Sequence, residues 1–370
     1  MSDYAGRISR LQEAMRAQGA VWAVMAPSDS MRYLAGWVAG GHERLIALFV
    51  PATGEPVFVV PAMNAQQAKT NPAGIARVVG WNDDSGWQAS VQPILQAWSG
   101  SRSGGEALID DELMSVHLLG LQTLFPRLTY VPAGETMARL REIKTPEELA
   151  ALERAAAMID ALYEEALGTL AEGMTEIEFA EILLDRMKRE GTAPSFPPLI
   201  CFGANGAMPH HHTGNTPLRR GDVVVIDIGC ISDHYASDIT RTVAFGEPRD
   251  PEAARVYEIV SQAHHAAREA ARPGVSGEEV DAAARRVITE AGFGPQFIHR
   301  TGHGIGLSTH EPPYIVGGNK APLQPGMCFS VEPGIYLPDR FGIRIENIVT
   351  VTADGSRSLN AEAPRQLRVV

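Results

Sequence analysis

An internal repeat constrains the fold of this chain more than any other feature of its sequence. The segment "GMTEIEF" that starts at Gly173 recurs as "GVSGEEV" at Gly274, an offset of 274 − 173 = 101 residues. Each copy places a glycine at the end of one helix, Thr or Ser as N-cap of the next, and Glu178 or Glu279 at the capping-box position. The repeat predicts two halves that each contain a pair of helices.

A second pair of matched segments extends the repeat into strands. "GDVVVIDIG" starts at Gly221 and "GMCFSVEPG" starts at Gly326, and each places an acid six residues after its first glycine. Those acids are Asp227 and Glu332. Two α+β halves related by a pseudo-twofold axis would bring both acids to a shared cleft.

Several acids lie in segments that otherwise indicate buried strands. Asp227 follows the apolar residues 223–226, and Glu332 and Glu346 lie in "SVEPGIY" and "GIRIENIVTV". An acid in such a strand is costly unless it is paired or binds a metal. An ion pair with Arg241 or a turn cap would explain Asp227 but not all three acids. A hairpin is expected to bring Asp238, in "ASDITRT", beside Asp227.

This group of acids predicts a metal site. Four carboxylates in one cleft repel each other unless positive charge neutralises them, and two divalent cations supply that charge. His303, in "HRTGHGIGLSTHE", is the candidate nitrogen ligand. Carboxylate-rich ligation favours Mn²⁺, with Zn²⁺ and Co²⁺ as alternatives. Two such ions would hold a bridging hydroxide and polarise a carbonyl, which indicates hydrolysis.

The segment before this site indicates a separate domain. Residues 1–135 alternate helical and strand-like patterns, which predicts a small α/β domain. The long helix in "KTPEELAALERAAAMIDALYEEAL" then begins with Thr145 as N-cap and Glu148 in a capping box. We therefore predict a boundary near residue 135, with the catalytic domain over residues 136–370.

Composition limits the classes of partner that this protein can bind and the cell compartment in which it is expected. The net charge of −12, with no cluster of Lys and Arg, argues against nucleic acid. The three cysteines are widely spaced and form no CxxC motif, so the sequence supports neither a disulfide framework nor a cysteine zinc site. The polar start lacks the apolar core of a signal peptide, and no apolar run is long enough to span a bilayer. We expect a cytoplasmic protein that acts on a small molecule or peptide, without membrane contact.

Five ordered motifs, "IDIG", "SDITRT", "HRTGHGIGLSTHE", "VEPGIY" and "GIRIEN", resemble those of the pita-bread metallopeptidases, in particular the proline-specific prolidases and aminopeptidases P. The resemblance implies a creatinase-type N-terminal domain, an α+β pita-bread catalytic domain and a homodimer. It also implies that Asp227 binds one ion and that His303 and Glu332 bind the other. Asp238 and Glu346 would bridge both ions.

The resemblance also implies roles for residues around the metals. His210 in "GAMPH", His299 in "FIHRTGH" and His310 in "STHEPP" match the pocket histidines of the family. We expect His210 and His310 to stabilise the oxyanion and carry a proton to the leaving nitrogen, while His299 shapes the pocket. Glu332 would also act as general base. From its position two residues before Glu346, Arg344 is expected to hold the site carboxylates or the substrate, with a surface arginine on a strand as the alternative.

Some positions near the motifs stay open at this stage. Tyr336 is either a hydrogen-bond donor in the site or a packed core residue, and His211 and His212 are expected to have no catalytic role. Asn347 replaces the aspartate that commonly follows the bridging glutamate in the family, which puts the surroundings of the ligands in doubt.

The activity implied by the resemblance is hydrolysis of the Xaa-Pro bond in short proline-containing peptides by a prolidase-like dipeptidase. The alternatives are an Xaa-Pro aminopeptidase acting on tripeptides and longer chains, or a metal-dependent hydrolase or lyase of a non-peptide substrate. A metal-free relative would lack some of the five ligands, and none is missing here. A dipeptidase needs a group for the substrate's C-terminal carboxylate. Arg44 in "GGHERLIALFV" is a candidate, with a plain surface arginine as the alternative.

Overall fold

The computed structural model describes residues 3–40, 43–99 and 104–370. The chain divides into two compact units, Met1–Arg141 and Glu142–Val370. This division falls after Arg141, whereas the sequence placed the boundary near residue 135. The reason for the difference is the helix Gly134–Arg141, which packs against the helix Tyr4–Gln18 of the first unit.

The described part of the first unit contains a mixed six-stranded sheet with strand order β4-β3-β2-β1-β5-β6. The strands are β1 (Ala20–Met25), β2 (Ala47–Pro51), β3 (Val57–Pro61), β4 (Val78–Trp81), β5 (Glu106–Ile109) and β6 (Thr129–Pro132). The helices are α1 (Tyr4–Gln18), α2 (Asp29–Ala35), α3 (Ala65–Ala68), α4 (Gln88–Ser99), α5 (Ser115–Leu124) and α6 (Gly134–Arg141). Strands β1, β2 and β3 are buried along their whole length, because both faces of the sheet are apolar.

The second unit contains two helix pairs and two larger sheets. Its helices are α7 (Pro146–Leu167), α8 (Glu176–Arg189), α9 (Ala253–Ala270) and α10 (Gly277–Glu290). Its strands are β7 (Leu199–Phe202), β8 (Val223–Ile228), β9 (Ile231–Ser232), β10 (Tyr235–Ala236), β11 (Ile239–Ala244), β12 (Gly302–Gly304), β13 (Glu311–Ile315), β14 (Cys328–Val331), β15 (Gly334–Leu337), β16 (Phe341–Arg344), β17 (Asn347–Val351), β18 (Ser356–Ser358) and β19 (Arg368–Val369). Among the described residues of both units, no helix is long and apolar enough to cross a membrane.

The duplicated segments adopt matching backbone structures. Thr175 and Ser276 are the N-caps of α8 and α10, and each closes a capping box with the glutamate three residues later. Each N-cap also forms an isolated backbone bridge to a proline, Thr175 to Pro217 and Ser276 to Pro322. The repeat therefore fixes how each helix begins and which loop it holds.

Each helix pair buries its apolar face on its own sheet. Helices α7 and α8 pack with β7, β8 and β11, and helices α9 and α10 pack with the strands after residue 300. The fully buried positions of α8 and α10 are also offset by 101 residues: Phe179, Leu183 and Met187 match Val280, Ala284 and Ile288. Full burial of a large apolar side chain contributes roughly 1.5–3 kcal/mol. The duplicated pattern thus supplies two similar cores.

Candidate metal centre

An antiparallel strand pair brings the first two acids together. Strand β8 pairs with β11 so that Asp227 is opposite Thr240, and Asp238 immediately precedes β11. The side chain of Asp227 accepts a hydrogen bond from Arg344. It does not pair with Arg241, which instead donates to backbone carbonyls. The simple ion pair considered from sequence is therefore not formed.

The second half of the unit contributes the imidazole and two more acids. His303 lies on β12, Glu332 directly follows β14, and Glu346 lies between β16 and β17. The Nε2 atom of His303 lies 3.3 Å from Oε1 of Glu332 and 3.7 Å from Oδ2 of Asp238. Its Nδ1 lies 3.1 Å from the carbonyl oxygen of Gly304 and donates a hydrogen bond to it. The lone pair of Nε2 is thereby left for a metal.

The five predicted ligands line one cleft of about 770 Å³. Asp238, His303 and Glu346 each offer one ligand atom, and these atoms lie within 4.8 Å of one another. Among the described residues, Oδ1 of Asp227, Oδ1 of Asp238 and Oε1 of Glu346 are buried without a hydrogen-bond partner. Unpaired buried carboxylate oxygens are costly, and divalent cations satisfy them. This donor set, oxygen-rich with one imidazole, therefore fits divalent metal ions.

The pKa values of the cleft residues also indicate that cations are needed to keep the acids ionised. Burial raises the pKa of Asp238 and of Glu346 well above their ordinary values, and the neighbouring carboxylates raise both further. Burial also raises the pKa of Glu332 to about 7. For His303, burial and then the nearby His310 lower the pKa to about 3, so its imidazole is neutral. The protein alone cannot keep all these acids ionised at neutral pH, whereas bound cations can.

A hydrogen-bonded chain connects Asp227 to one of the predicted pocket histidines. Arg344 pairs with Asp227 and donates from Nη1 to the hydroxyl of Tyr336 at 2.9 Å. That hydroxyl donates to Nε2 of His299 at 2.8 Å, since Nδ1 of His299 donates to the carbonyl of Arg300 at 2.7 Å. Burial raises the pKa of Tyr336 to about 12 and lowers that of His299 to about 4. Arg344 and Tyr336 are thus parts of the site network.

The other two predicted histidines also lie on the cleft. His310 packs edge-on against the metal-ligand candidate His303, with ring centroids 4.1 Å apart. Burial and then the charge of Arg300 lower the pKa of His310, so its ring is neutral at physiological pH. His210 lines the same cleft and is exposed. Its neighbour His211 bonds to the buried carboxylate of Glu176 at 2.8 Å.

Arg44 belongs to the first unit, where its guanidinium is engaged by acids. Its Nε and Nη2 atoms contact both carboxylate oxygens of Asp83, at 2.9 and 3.1 Å, and Nη1 contacts Glu43 at 3.0 Å. The bidentate edge that a substrate carboxylate would need is thus already used by Asp83.

Three residues near the site were not singled out from sequence. Thr240 contacts both Arg344 and Glu346, Glu176 holds the segment that carries His210, and Arg300 lines the cleft. A signal existed for Thr240, because it lies two residues after Asp238 on the same strand face. Arg300 lies within the quoted "HRTGH" motif, next to His299. Glu176 had no such signal.

Two family models match the chain. The model of metallopeptidase family M24 matches residues 150–353. The chain belongs to this family. The model of the creatinase/prolidase N-terminal domain matches residues 7–143 of the M24 chain. The resemblance stated from the motifs and the predicted fold class are therefore both confirmed.

Individual relatives are similar to this M24 metallopeptidase over nearly its whole length. The probable dipeptidase PepE of Mycobacterium tuberculosis is 40% identical, covering 99% of this chain and 96% of its own. The Xaa-Pro dipeptidase of Lactobacillus helveticus is 35% identical, covering 98% of each chain. Among solved structures, recombinant prolidase from Thermococcus sibiricus matches with a TM-score of 0.93 and 35% identity over 100% of both chains.

The structure explains one departure of this M24 chain from the family pattern. Asn347, beside Glu346, is fully buried, and its amide nitrogen donates to Ser358 Oγ at 2.8 Å and to the carbonyl of Ala361 at 3.0 Å. An aspartate could not donate these bonds. Asn347 is thus suited to its place beside the candidate ligand Glu346.

Proposed function

We propose that this M24 metallopeptidase is a metal-dependent dipeptidase that hydrolyses the Xaa-Pro bond of short peptides. The observation that carries the proposal is the convergence of four acids and His303 in one cleft, with His210, His299 and His310 along the same cleft. The names of two relatives, an Xaa-Pro dipeptidase and a prolidase, support the preference for proline.

The proposed cofactor is a pair of divalent ions, Mn²⁺ in the first place, with Zn²⁺ and Co²⁺ as alternatives. Asp227 would hold one ion, His303 and Glu332 the other, and Asp238 and Glu346 both. Such ions supply Lewis acidity toward a peptide carbonyl and toward water. The oxygen-rich donor set and the unpaired carboxylate oxygens support this assignment.

Protein side chains would carry out the proton transfers, stabilise the oxyanion and orient the substrate. Glu332 takes the proton of the attacking water at Oε2, since Oε1 already accepts a 3.1 Å hydrogen bond from Ser330. His210 and His310, on the cleft wall, take the two remaining roles: one donates a hydrogen bond to the developing oxyanion, and the other passes the proton held by Glu332 to the leaving nitrogen. His299, fixed by Tyr336, orients the substrate without transferring a proton. Arg344 holds Asp227 in place.

The proposed preference for dipeptides rests on Arg300. Among the residues that the structure describes, two arginines line the cleft, and Arg344 is committed to Asp227, Thr240 and Tyr336. Arg300 stacks on the ring of Tyr314 at 4.5 Å, and in residues 3–40, 43–99 and 104–370 its guanidinium has no carboxylate partner. It is therefore available to pair with the free C-terminal carboxylate of an Xaa-Pro dipeptide. Arg44, the earlier candidate for this role, is already paired with Asp83.

We also propose a cytoplasmic homodimer. The three cysteines are buried free thiols, which suits a reducing compartment. Dimerisation follows from the family resemblance, and sedimentation of the metal-loaded protein tests it.

Peptide hydrolysis by the Mn²⁺-loaded protein tests the proposed activity. We expect cleavage of Ala-Pro, much slower cleavage of Ala-Ala, and loss of activity after chelation. Ala-Pro-Ala is the matched longer substrate. If only the tripeptide is cleaved, the enzyme is an Xaa-Pro aminopeptidase. If neither proline peptide is cleaved, the peptidase proposal is wrong and a non-peptide substrate remains.

A further inference from the structure

Glu176, the first residue of α8, is fully buried and surrounded by hydrogen-bond donors. Its Oε1 accepts from the backbone N–H of Phe202 at 2.9 Å and from Nδ2 of Asn205 at 2.8 Å. Its Oε2 accepts from the backbone N–H of Gly214 at 2.9 Å and bonds to Nε2 of His211 at 2.8 Å. All four partners lie between residues 202 and 214.

These four bonds hold both ends and the middle of one cleft segment. Phe202 ends β7, Gly214 closes the segment, and Asn205 and His211 lie between them. Pro209, His210, His211, His212 and Thr213 of this segment line the cleft. Among the described residues, no other side chain makes as many hydrogen bonds to this segment. The position of His210 therefore depends on a carboxylate outside the cleft wall.

The internal repeat shows that Glu176 is not needed to start its helix. The capping boxes of α8 and α10 share Thr175 with Ser276 and Glu178 with Glu279. The counterpart of Glu176 is residue 176 + 101 = 277, a glycine, where a Cβ would lie 2.6 Å from the carbonyl oxygen of Tyr314. At this position of the repeat, only the half that carries His210 has a buried acid.

We propose that Glu176 is a positioning residue that, together with His211, fixes the 202–214 segment so that His210 meets the substrate. This inference rests on the role given to His210 in the proposed function. His211, expected from sequence to be without a role, becomes the side chain that anchors its neighbour. Burial of the carboxylate strengthens these bonds, because water does not compete for them.

The test compares Glu176→Gln with Glu178→Gln in the Mn²⁺-loaded full chain. A glutamine at 176 places an amide N–H₂ against the N–H of Gly214 or of Phe202, so one donor loses its acceptor. We expect kcat for Ala-Pro to fall by ~10- to 100-fold with a small change in KM and unchanged metal content. Glu178→Gln, on the same helix turn, keeps the capping box and is expected to retain wild-type kcat.

A double-mutant cycle separates positioning from general damage. If Glu176 acts through His210, Glu176→Gln should have little further effect on kcat in a His210→Ala background. Equal losses in both backgrounds, or a wild-type kcat for Glu176→Gln, would overturn the proposal.

His211 supplies a milder variant if Glu176→Gln does not fold. His211→Ala should lower kcat, and His211→Gln, whose amide can still donate to Glu176, should restore part of it. Equal activity of the two variants would also overturn the proposal. A wild-type protein that cleaves no proline peptide would instead refute the proposed function, which keeps the two failures distinct.

Discussion

The hydroxyl of Thr240 lies 2.7 Å from Oε2 of Glu346 and donates a hydrogen bond to it. The same hydroxyl oxygen accepts a 3.0 Å bond from Nε of Arg344, which also pairs with Asp227. Thr240 is fully buried. One hydroxyl therefore orients Glu346, a proposed bridging ligand, and Arg344, which holds Asp227, a proposed ligand from the other half of the fold.

Replacing Thr240 by valine should weaken metal binding and destabilise the protein. The change keeps the shape of the side chain but leaves Oε2 of Glu346 without its donor and Nε of Arg344 without its acceptor. We expect metal affinity to fall about 10- to 100-fold and the free energy of unfolding to fall by about 1–3 kcal/mol. Metal titration and urea denaturation measure the two effects. Thr240→Ser keeps the hydroxyl, and a metal affinity equal to that of the valine variant would contradict the argument.

His303 and His310 should respond differently to replacement, although their rings are in contact. Nε2 of His303 faces the carboxylates of Glu332 and Asp238, so His303→Ala should lower the metal content of purified protein. His310 is assigned to the substrate, so His310→Ala should keep the metal and lower kcat. Elemental analysis and steady-state kinetics on the same preparations check this. Equal metal loss in both variants would show that the assigned division of roles is wrong.

Much of the candidate site could be predicted from sequence because its acids lie in apolar segments, where a buried acid is costly unless it is paired or binds a metal. Asp227 lies in an otherwise apolar strand, Glu332 and Glu346 lie directly beside largely apolar strands, and a shared site explains all three. The fold could be predicted for a similar reason, since the repeat at Gly173 and Gly274 recurs in caps, glycines and buried positions. These are local patterns, and a sequence displays them directly.

The remaining features depend on contacts between distant parts of the chain. The bond from Arg344 to Thr240 joins residues 104 positions apart, and no spacing rule predicts which arginine reaches Asp227. Glu176 was missed because an acid in the first turn of a helix is usually explained by the helix dipole alone. Its burial arises only when the 202–214 segment folds over it.

Removal of the metal should make stability depend on pH in a defined direction. Burial raises the pKa of Glu332 to about 7 from an ordinary value of 4.5, and those of Asp238 and Glu346 are also raised. Above pH 4.5 the unfolded chain releases protons that the folded state keeps, so the free energy of unfolding falls as pH rises through about 7. Bound cations replace those protons and should cancel the loss.

Thermal denaturation of chelated and Mn²⁺-loaded protein between about pH 5 and pH 8 measures this dependence. The stabilisation by Mn²⁺ should grow with pH. Glu332→Gln removes one of the titrating acids and should flatten the profile of the chelated protein. A metal-free protein that is as stable at the upper end of this range as at the lower end would refute the prediction.

Arg300 and Arg44 are the two candidates for binding the substrate's C-terminal carboxylate, and variants of each can be compared on substrates with and without that carboxylate. Arg300 lies in the cleft without a carboxylate partner among the described residues, whereas Arg44 is paired with Asp83 and Glu43. Arg300→Ala should raise KM for Ala-Pro by about 10-fold or more, because a charge-assisted bidentate pair is lost. It should leave KM for Ala-Pro-amide, which has no carboxylate, nearly unchanged. Arg300→Lys keeps the charge without the bidentate fork, so its KM for Ala-Pro should lie between those of wild type and Arg300→Ala.

Arg44→Ala, measured on Ala-Pro and Ala-Pro-Ala, should match wild type on both substrates. A loss of activity on the dipeptide alone would return the length-determining role to Arg44.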